Sequence, residues 1–381
     1  MIITGIVLMV CYALVLLWVV VGFLRLAEFS SEKFIPITTF TVIIPFRNEA
    51  EHLPTLIESL KNLNYPKHLF ELILVDDESE DSSVKIIQDE ISRLVRIDNP
   101  LHIQLIKNKR LSASPKKDAI TKAIKIAQHE WIVTTDADCT VPAQWLQALD
   151  AFIQNHAFEF IAAPVSLQTG NGLLQNFQQF DHCSLQSLTL GSFGNSVPLL
   201  CNGANICYKK QLFLSLNGFS GNDHLASGDD IFMLEKALQK DAKKVGFLKS
   251  RNAIVATSPQ QKWAALINQR VRWASKTSTQ KSLLSKAIGL LVFFTNLWFL
   301  AACLVVFFQQ EMLIPLLLLF IIKMILDGFI ILLSAHFFRS KKNLAYYLVS
   351  SSIYPFFTVF VLLKSFAGSY YWKGRNYPSA S

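Results

Sequence analysis

Long apolar runs mark both ends of the chain, whereas apolar and polar residues alternate over shorter distances between them. Four runs reach the roughly 20 residues that a helix needs to cross a bilayer, and they cover residues 2–24, 287–308, 312–338 and 344–363. The first run has no basic segment before it and no A-x-A-like site after it, so we interpret it as a membrane anchor and not a signal peptide. The pattern predicts a transmembrane helix within residues 1–26, a polar domain over 27–286, three transmembrane helices within 287–366 and a tail over 367–381.

The polar domain opens with two kinds of short pattern. A buried strand is predicted at residues 40–45, and further strands are predicted at 69–76, 101–108 and 131–136. Helical periodicity occupies residues 46–63, 84–94 and 116–128. The first of these helices is expected to be capped near Asn48 or Glu49. Strands that alternate with helices predict an α/β fold with a mostly parallel sheet.

Polar side chains follow three of the predicted strands, at the edge of the sheet where such folds bind their ligands. The chain places Arg47 and Glu49 after the first strand, Asp76 and Asp77 after the second, and Asp136 and Asp138 after the fourth. Two carboxylates one residue apart at the end of a buried strand repel each other, and a divalent cation relieves that repulsion. Carboxylate oxygens suit Mg²⁺ or Mn²⁺. The pair Asp136 and Asp138 therefore predicts a metal site, whereas no G-x-G-x-x-G or P-loop motif occurs.

The second half of the polar domain carries three further patterns. Residues 201–219 contain an Asn-Gly turn, a short apolar strand and a helix. Asp229 and Asp230 precede a helical run at 231–238, where helix capping and a catalytic role are alternative interpretations. Residues 260–276 form an amphipathic pattern that is typical of a helix at a membrane interface.

Composition supports a membrane protein with a soluble part, since 51% of the residues are hydrophobic and the mean hydropathy is +0.34. The net charge of +8 agrees both with attraction to anionic lipid and with an anionic substrate. No basic stripe with interleaved aromatic residues occurs, so no nucleic-acid partner is predicted. The six cysteines form no C-x-x-C pair, which argues against zinc, and they are expected to be free thiols.

Loop charge predicts how the chain is oriented in the membrane. The turn at 339–343 is strongly basic and should be cytoplasmic, whereas the turn at 309–311 has no Lys or Arg and should lie outside. With the N-terminal anchor, this places the polar domain in the cytoplasm and both termini outside. The intramembrane charges Lys323 and Asp327 are four residues apart on one predicted helix and are expected to neutralise each other, which argues against a transporter.

Six short motifs follow one another along residues 40–276. They are "TVIIPFRNEA" at 41–50, "ILVDDESEDSS" at 73–83, "SPKKDAITKA" at 114–123, "DADC" at 136–139, "GDD" at 228–230 and "QRVRW" at 269–273. In this order, and between membrane helices, they resemble the motifs of the membrane-bound family 2 glycosyltransferases, which include cellulose, hyaluronan and poly-N-acetylglucosamine synthases. The resemblance implies a GT-A fold, a nucleotide-diphospho-sugar donor, expected to be a UDP-sugar, and Mg²⁺ or Mn²⁺.

The resemblance also implies roles for individual residues. Those of the donor site are Pro45, Arg47, Glu49, Asp76, Asp77, Lys116, Asp136, Gln269 and Arg272. Asp136 and Asp138 match the family's D-x-D metal motif, and Trp273 matches its acceptor contact. Asp230 matches the catalytic base. Asp229 is the alternative candidate for this role, because "GDD" replaces the family's T-E-D. Lys116 and Lys117 fit the lysine of their motif equally well.

The function implied is inverting sugar transfer to a polysaccharide or lipid-linked acceptor, with the catalytic domain at the cytoplasmic side of a bacterial inner membrane. One alternative is a single transfer to polyprenyl phosphate or a glycolipid, and the presence of only four predicted membrane helices favours a non-processive enzyme. An alternative of another class is a catalytically inactive scaffold that binds nucleotide sugar. The retained acidic motifs argue against the scaffold.

Overall fold

The computed structural model of the chain describes residues 1–30, 35–94, 101–222, 225, 227–277, 279–340, 343–366, 369–372 and 375–378. The chain divides into two compact units. The first comprises Met1–Leu26, Thr169–Leu199 and Pro259–Ser381, and the second Ala27–Gln168 and Leu200–Ser258. The domain boundaries expected from the sequence differ from this division, because residues 169–199 and 259–286 group with the apolar helices.

The second unit is an α/β structure. Its strands are β1 Phe40–Phe46, β2 Phe70–Asp76, β3 His102–Lys107, β4 Trp131–Thr134, β5 Cys139–Thr140, β6 Phe160–Ala162, β7 Val165–Leu167, β8 Ile206–Lys209, β9 Val245–Phe247 and β10 Val255–Thr257. Its α-helices are α2 Leu53–Lys61, α3 Ser83–Leu94, α4 Pro115–Ile126, α5 Trp145–Asn155, α7 Lys210–Ser215 and α8 Asp229–Asp241. Short 3₁₀ helices occupy Lys67–Leu69, Ala242–Lys244 and Arg251–Ala253.

Seven strands form the main sheet of the described residues, in the order β3-β2-β1-β4-β8-β6-β9. The strands β3, β2, β1 and β4 are parallel neighbours, whereas β8 is antiparallel to both β4 and β6. β1 and β2 are almost wholly buried apolar runs, as expected for a sheet that is covered on both faces. Phe46 pairs with Asp76, and Asp76 pairs with Lys107, so the loops after β1, β2 and β3 leave the sheet at the same edge.

One helix begins later than the sequence predicts. The helix expected to be capped near Asn48 or Glu49 begins at Leu53, with His52 at its N-cap position. Asn48 has a φ of 51°, which a right-handed helix does not allow. The backbone N–H groups of Asn48, Glu49 and Ala50 donate to side chains of the loop after β2. These bonds hold residues 47–50 as a loop, so the prediction of the cap was wrong.

The first unit contains the long apolar helices. Its α-helices are α1 Ile2–Arg25, α6 Leu173–Gly194, α9 Trp263–Thr277, α10 Leu283–Val306, α11 Leu313–Phe337 and α12 Leu344–Ser365, with a 3₁₀ turn at Gln310–Met312 and a hairpin of β11 Ser369–Trp372 and β12 Arg375–Pro378. Among the described residues, four helices are long and apolar enough to cross a membrane: Ile2–Arg25, Leu283–Val306, Gln310–Phe337 and Leu344–Ser365. They coincide with the four predicted runs.

Two charged side chains inside α11 form an ion pair. Lys323 Nζ lies 2.6 Å from Asp327 Oδ2, as the spacing of four residues predicts, so the expected neutralisation is confirmed. The hydroxyl of Tyr12 donates to Asp327 Oδ1 over 2.6 Å. The carboxylate therefore joins α1 to α11.

Candidate active site

The loops after β1 and β2 are joined by Arg47, which was predicted to contact the donor. Its Nη1 donates to the carbonyl oxygen of Asp77 over 2.8 Å, and its Nη2 lies 2.8 Å from Glu80 Oε1. The guanidinium, whose side chain is 11% exposed, therefore holds the second loop in place. Any contact of Arg47 with a ligand would come in addition to this structural role.

Glu49 and Pro45, the other predicted donor residues of this segment, also lie at the sheet edge. Pro45 is in β1 opposite Val75 of β2. Glu49 is buried; its backbone N–H donates to Ser83 Oγ over 2.8 Å, and its Oε2 lies 2.9 Å from Nδ1 of His52. The side chain of Glu49 therefore faces the start of α2.

Asp76 and Asp77 end β2 and are both buried. Asp76 Oδ1 accepts from the backbone N–H of Ser79 over 2.9 Å, which shapes the acidic loop. Asp77 Oδ1 accepts from Asn108 Nδ2 over 2.8 Å and lies 3.7 Å from Nε of Arg110. Asn108 and Arg110 were missed in the sequence, although they directly follow β3 at the same edge as the predicted clusters.

Lys116 is at the centre of the acidic cluster. Its Nζ donates to Asp136 Oδ1 over 2.7 Å and lies 3.1 Å from Asp229 Oδ2. Burial alone would lower the pKa of Lys116, but the carboxylates of Asp136 and Asp229 raise it well above its ordinary value. The ammonium therefore remains charged at every pH at which the protein would be assayed.

The structure separates the two lysines that the sequence left equivalent. Lys117 is 1% exposed, and its Nζ donates to the carbonyl oxygens of Asn222 and Leu225 over 2.7 and 2.9 Å. Its Nζ also lies 5.2 Å from the centre of the Phe232 ring. Lys117 thus ties the loop before α8 to α4, whereas Lys116 belongs to the acidic cluster.

Asp229 and Asp230 are the first two residues of α8, and the N-cap position belongs to Gly228 with a φ of 88°. Neither aspartate occupies the N-cap position that the capping interpretation gave them, but Asp230 Oδ1 accepts from the backbone N–H of Ile231 over 2.8 Å in the first turn of the helix. Asp229 is buried, whereas Asp230 is more exposed, and Asp230 Oδ2 accepts from the backbone N–H of Gly203 over 3.2 Å. A Cβ at Gly203 would lie 2.9 Å from Asp229 Oδ2 and 3.2 Å from Lys116 Nζ, so a larger residue there would displace the ends of these two side chains.

Asp136 and Asp138 lie between β4 and β5, as their place at a strand end predicts. The side chain of Asp136 is 36% exposed, and Asp138 Oδ1 is 3.6 Å from the thiol of Cys139. Burial and the neighbouring Asp138 raise the pKa of the Cys139 thiol, so Cys139 stays protonated. All six cysteines are free thiols.

Asn205 fixes the turn that contacts Asp230, and no sequence motif pointed to it. Its Nδ2 donates to the carbonyl oxygens of Pro164 and Ala253 over 2.8 and 2.7 Å, and its Oδ1 accepts from Trp145 Nε1 over 2.9 Å. The side chain is 1% exposed. It thereby anchors the turn at 202–205 to three separate segments of the second unit.

Replacing Asn205 with alanine is expected to destabilise the protein by roughly 2 to 4 kcal/mol, because each buried group left without a partner costs about 1 to 3 kcal/mol. Chemical denaturation of the protein in detergent measures the loss. Asn155→Ala is the matched control, since Asn155 is exposed and, within the described part of the chain, its side chain bonds to Ala151 of its own helix alone. If Asn205→Ala lowers the free energy of unfolding no more than the control does, Asn205 does not anchor the turn.

The predicted residues Gln269, Arg272 and Trp273 lie on α9, in the first unit. Gln269 Oε1 accepts from Nη1 of Arg270 over 2.7 Å, and the ring of Trp273 lies 4.1 Å from the Arg270 guanidinium carbon. Arg270 is buried and was missed in the sequence, where its place between motif residues gave it no distinct signal.

Comparison with known families decides the class of this chain. A profile of glycosyl transferase family group 2 matches residues 131–362, more than half of the chain, and a profile of glycosyl transferase family 2 matches residues 41–193. The chain belongs to the family 2 glycosyltransferases. Membership confirms the resemblance drawn from the motifs, and the matched regions of this glycosyltransferase include both β4 and the "QRVRW" helix.

Two curated relatives of this glycosyltransferase act on different acceptors, by their names. The poly(ribitol-phosphate) β-N-acetylglucosaminyltransferase TarS of Staphylococcus aureus is 27% identical over 137 residues, which cover 36% of this chain and 22% of TarS. The undecaprenyl-phosphate 4-deoxy-4-formamido-L-arabinose transferase of Proteus mirabilis is 32% identical over 116 residues, covering 30% of this chain and 33% of that protein. The chain thus matches a third or less of the length of these relatives.

A solved structure shows the same fold. The mannosyltransferase PcManGT from Pyrobaculum calidifontis, in complex with GDP-Man and Mn²⁺, aligns with a TM-score of 0.56 at 15% identity and covers 96% of this chain and 98% of its own. Together with the mostly parallel sheet, this likeness confirms the predicted α/β GT-A fold.

Proposed function

We propose that this protein is an inverting glycosyltransferase that moves a sugar from a nucleotide-diphospho-sugar to a polysaccharide or lipid-linked acceptor at a membrane. The observation that carries the proposal is the cluster at the sheet edge, where Lys116 Nζ lies 2.7 Å from Asp136 and 3.1 Å from Asp229. A cation among carboxylates at the carboxyl edge of parallel strands suits a diphosphate leaving group and an acceptor hydroxyl. Family membership and the four candidate membrane helices support the same reading.

The donor site that we propose is the edge formed by the loops after β1, β2 and β3. Asp77, with Asp76 beside it, would hold the nucleoside, and Pro45, Arg47 and Glu49 would complete the pocket. The proposed donor is a UDP-sugar. The contacts of Asp77 support this proposal. Arg47 holds the backbone carbonyl of Asp77 and Asn108 holds its carboxylate, so the residue is already oriented for a ligand.

We propose that Mg²⁺ or Mn²⁺ binds at Asp136 and Asp138. No group of three or more His, Cys, Asp or Glu side chains that could hold a metal occurs within the described part of the chain. Two carboxylates nevertheless fit Mg²⁺, which is commonly held by one or two carboxylates together with substrate phosphates. The exposure of Asp136 leaves room for those phosphates. The bound cation would compensate the negative charge that develops on the leaving diphosphate.

Asp230 is the proposed general base. It would accept the proton of the acceptor hydroxyl as the hydroxyl oxygen attacks the anomeric carbon and the bond to the diphosphate breaks. This single displacement inverts the anomeric centre. Lys116 and Arg272 would compensate charge on the phosphates, with Gln269 as a further donor contact, and the face of Trp273 would pack against a sugar of the acceptor.

The second candidate is a single transfer to polyprenyl phosphate or a glycolipid. It is supported by the relative from Proteus mirabilis, which is named for undecaprenyl phosphate, and TarS supports a polymer instead. In both cases we propose that the catalytic unit is cytoplasmic, in a bacterial inner membrane. The basic turn at 339–343 supports this orientation, although its Lys341 and Lys342 lie outside the described residues.

The proposal is tested by incubating membranes that contain the protein with a panel of labelled nucleotide sugars. Thin-layer separation then distinguishes lipid products from polymer. Transfer from one donor, absent in membranes without the protein, is the expected result. Donor binding without any transfer would favour the inactive scaffold and overturn the enzymatic proposal.

Arg272→Lys and Trp273→Tyr are each expected to lower turnover by about 10-fold or more, if both residues contact substrate. Lysine keeps the charge but loses the planar fork that binds a phosphate through two hydrogen bonds. Tyrosine keeps the interfacial character but offers a smaller aromatic face. The measurement is turnover in intact membranes at equal protein level. Near-normal turnover of both variants would show that the two residues serve only as membrane anchors.

A further inference from the structure

The side chain of Arg270 is buried in the first unit beside an acidic partner from another helix. Its Nε lies 2.7 Å from Asp181 Oδ2, and the two side chains are 8% and 7% exposed. Asp181 belongs to α6, a helix that is not a candidate membrane span, and Arg270 belongs to α9. A buried charge is costly unless it is paired, and Asp181 supplies the opposite charge for this guanidinium.

The same guanidinium contacts two residues of the Q-x-x-R-W motif. Its Nη1 donates to Gln269 Oε1 over 2.7 Å, and its central carbon lies 4.1 Å from the centre of the Trp273 ring. The plane of a guanidinium offers hydrogen bonds along its edge and a face for an aromatic ring. One side chain therefore contacts the carboxylate of α6, the amide of Gln269 and the indole of Trp273.

We propose that Arg270, oriented by Asp181, is a positioning residue that sets the Gln269 amide and the Trp273 ring for substrate binding. This inference rests on the proposed function, which gives Gln269 a donor contact and Trp273 an acceptor contact. Neither Asp181 nor Arg270 is assigned a contact with substrate. They act through their neighbours, because a displacement of about 1 Å in a substrate-positioning group costs up to about 100-fold in rate.

The chemistry of arginine explains why lysine cannot replace it here. A lysine ammonium can pair with Asp181, but it has no planar edge and no face. Arg270→Lys is therefore expected to keep the ion pair and to release Gln269 and Trp273. Asp181→Asn should also release Gln269 and Trp273, because it keeps the guanidinium but removes its acidic partner. Asp181→Glu keeps the negative charge beside the guanidinium.

The geometry is tested without any assay of activity. The full-length protein in detergent is labelled with 5-fluorotryptophan, and the ¹⁹F resonance of Trp273 is assigned from its loss in Trp273→Phe. Arg270→Lys and Asp181→Asn are expected to shift or broaden this resonance. The matched control is Asp327→Asn, which breaks another ion pair of the same unit, at 2.6 Å from Lys323, and should leave the resonance in place.

Kinetics test the consequence for transfer. Arg270→Lys and Asp181→Asn are expected to lower kcat/KM by roughly 10- to 100-fold, with increased KM for donor and acceptor, and Asp181→Glu is expected to recover part of the loss. An unchanged Trp273 resonance in the first two variants overturns the proposal, and so does an altered resonance with unchanged kinetics. If Arg270→Lys fails to fold, the two Asp181 variants decide. If the unaltered protein transfers no sugar, the proposed function fails, while the resonance still reports whether Arg270 positions Trp273.

Discussion

Asp138→Asn is expected to remove metal-dependent donor binding and to lower the affinity for the metal by at least about 100-fold. Even the loss of a group that only supports a metal ligand costs 10- to 100-fold in affinity, and Asp138 is proposed as a ligand itself. Asparagine has the same shape but lacks the charge that holds a divalent cation against the donor phosphates. Turnover should fall with the metal, because the diphosphate then leaves without charge compensation.

Electron paramagnetic resonance measures the binding of Mn²⁺ to the protein, with and without nucleotide. A second assay measures sugar transfer in the presence of EDTA. Asp241→Asn is the matched control, since Asp241 is an exposed aspartate at the end of α8 whose carboxylate caps a short 3₁₀ turn. It should leave Mn²⁺ binding unchanged. Full transfer by Asp138→Asn in the presence of EDTA would show that the carboxylate pair does not act through a metal.

The sequence predicts the fold well where one physical signal dominates. β1, β2 and the membrane-length helices are long apolar runs, and burial or a bilayer is the only stable environment for them. α6 was missed because many of its buried side chains are polar, among them Gln178, Asp181 and Gln186. Its partners come from distant parts of the chain: Gln178 bonds to residue 260, and Asp181 pairs with Arg270. No local pattern encodes such pairing.

The candidate site was predictable in its composition but not in its arrangement. Asp136 follows β4, as the strand pattern predicts, and Lys116 Nζ lies 2.7 Å from it, whereas the functional roles assigned to both residues stay predictions. Which of two adjacent lysines faces the carboxylates depends on the rotation of α4, which the motif alone does not give. The role of Asn205 likewise follows from three contacts distant in sequence.

The two aspartates at the start of α8 differ in their surroundings, and we propose that this difference separates donor binding from the chemical step. Asp229 Oδ2 lies 3.1 Å from Lys116 Nζ, so its charge is engaged in the cluster that we assign to the phosphates. Asp230 is more exposed, and its Oδ2 accepts from the backbone N–H of Gly203 over 3.2 Å, which orients the carboxylate. A base must reach the acceptor hydroxyl, and Asp230 is the better placed of the two.

Asp230→Asn is therefore expected to lower turnover by roughly 100-fold or more, the usual scale for the loss of a general base. Donor affinity should survive, because the donor is held by Asp77, the metal site and Arg272 in our proposal. Asp230 accepts from the backbone N–H groups of Gly203 and Ile231, one at each carboxylate oxygen, and asparagine with its single carbonyl oxygen keeps one of these two bonds. Asp229→Asn should do less to the chemical step and more to donor affinity, since it removes one of the carboxylates that orient Lys116.

Calorimetry of donor binding and single-turnover kinetics, carried out on both variants, measure the two effects separately. The expected pattern is tight binding without chemistry for Asp230→Asn, and weakened binding with chemistry for Asp229→Asn. If Asp229→Asn is inactive and Asp230→Asn turns over normally, the base is Asp229. If both variants turn over normally, neither carboxylate accepts the acceptor proton, and the general-base assignment fails for this helix as a whole.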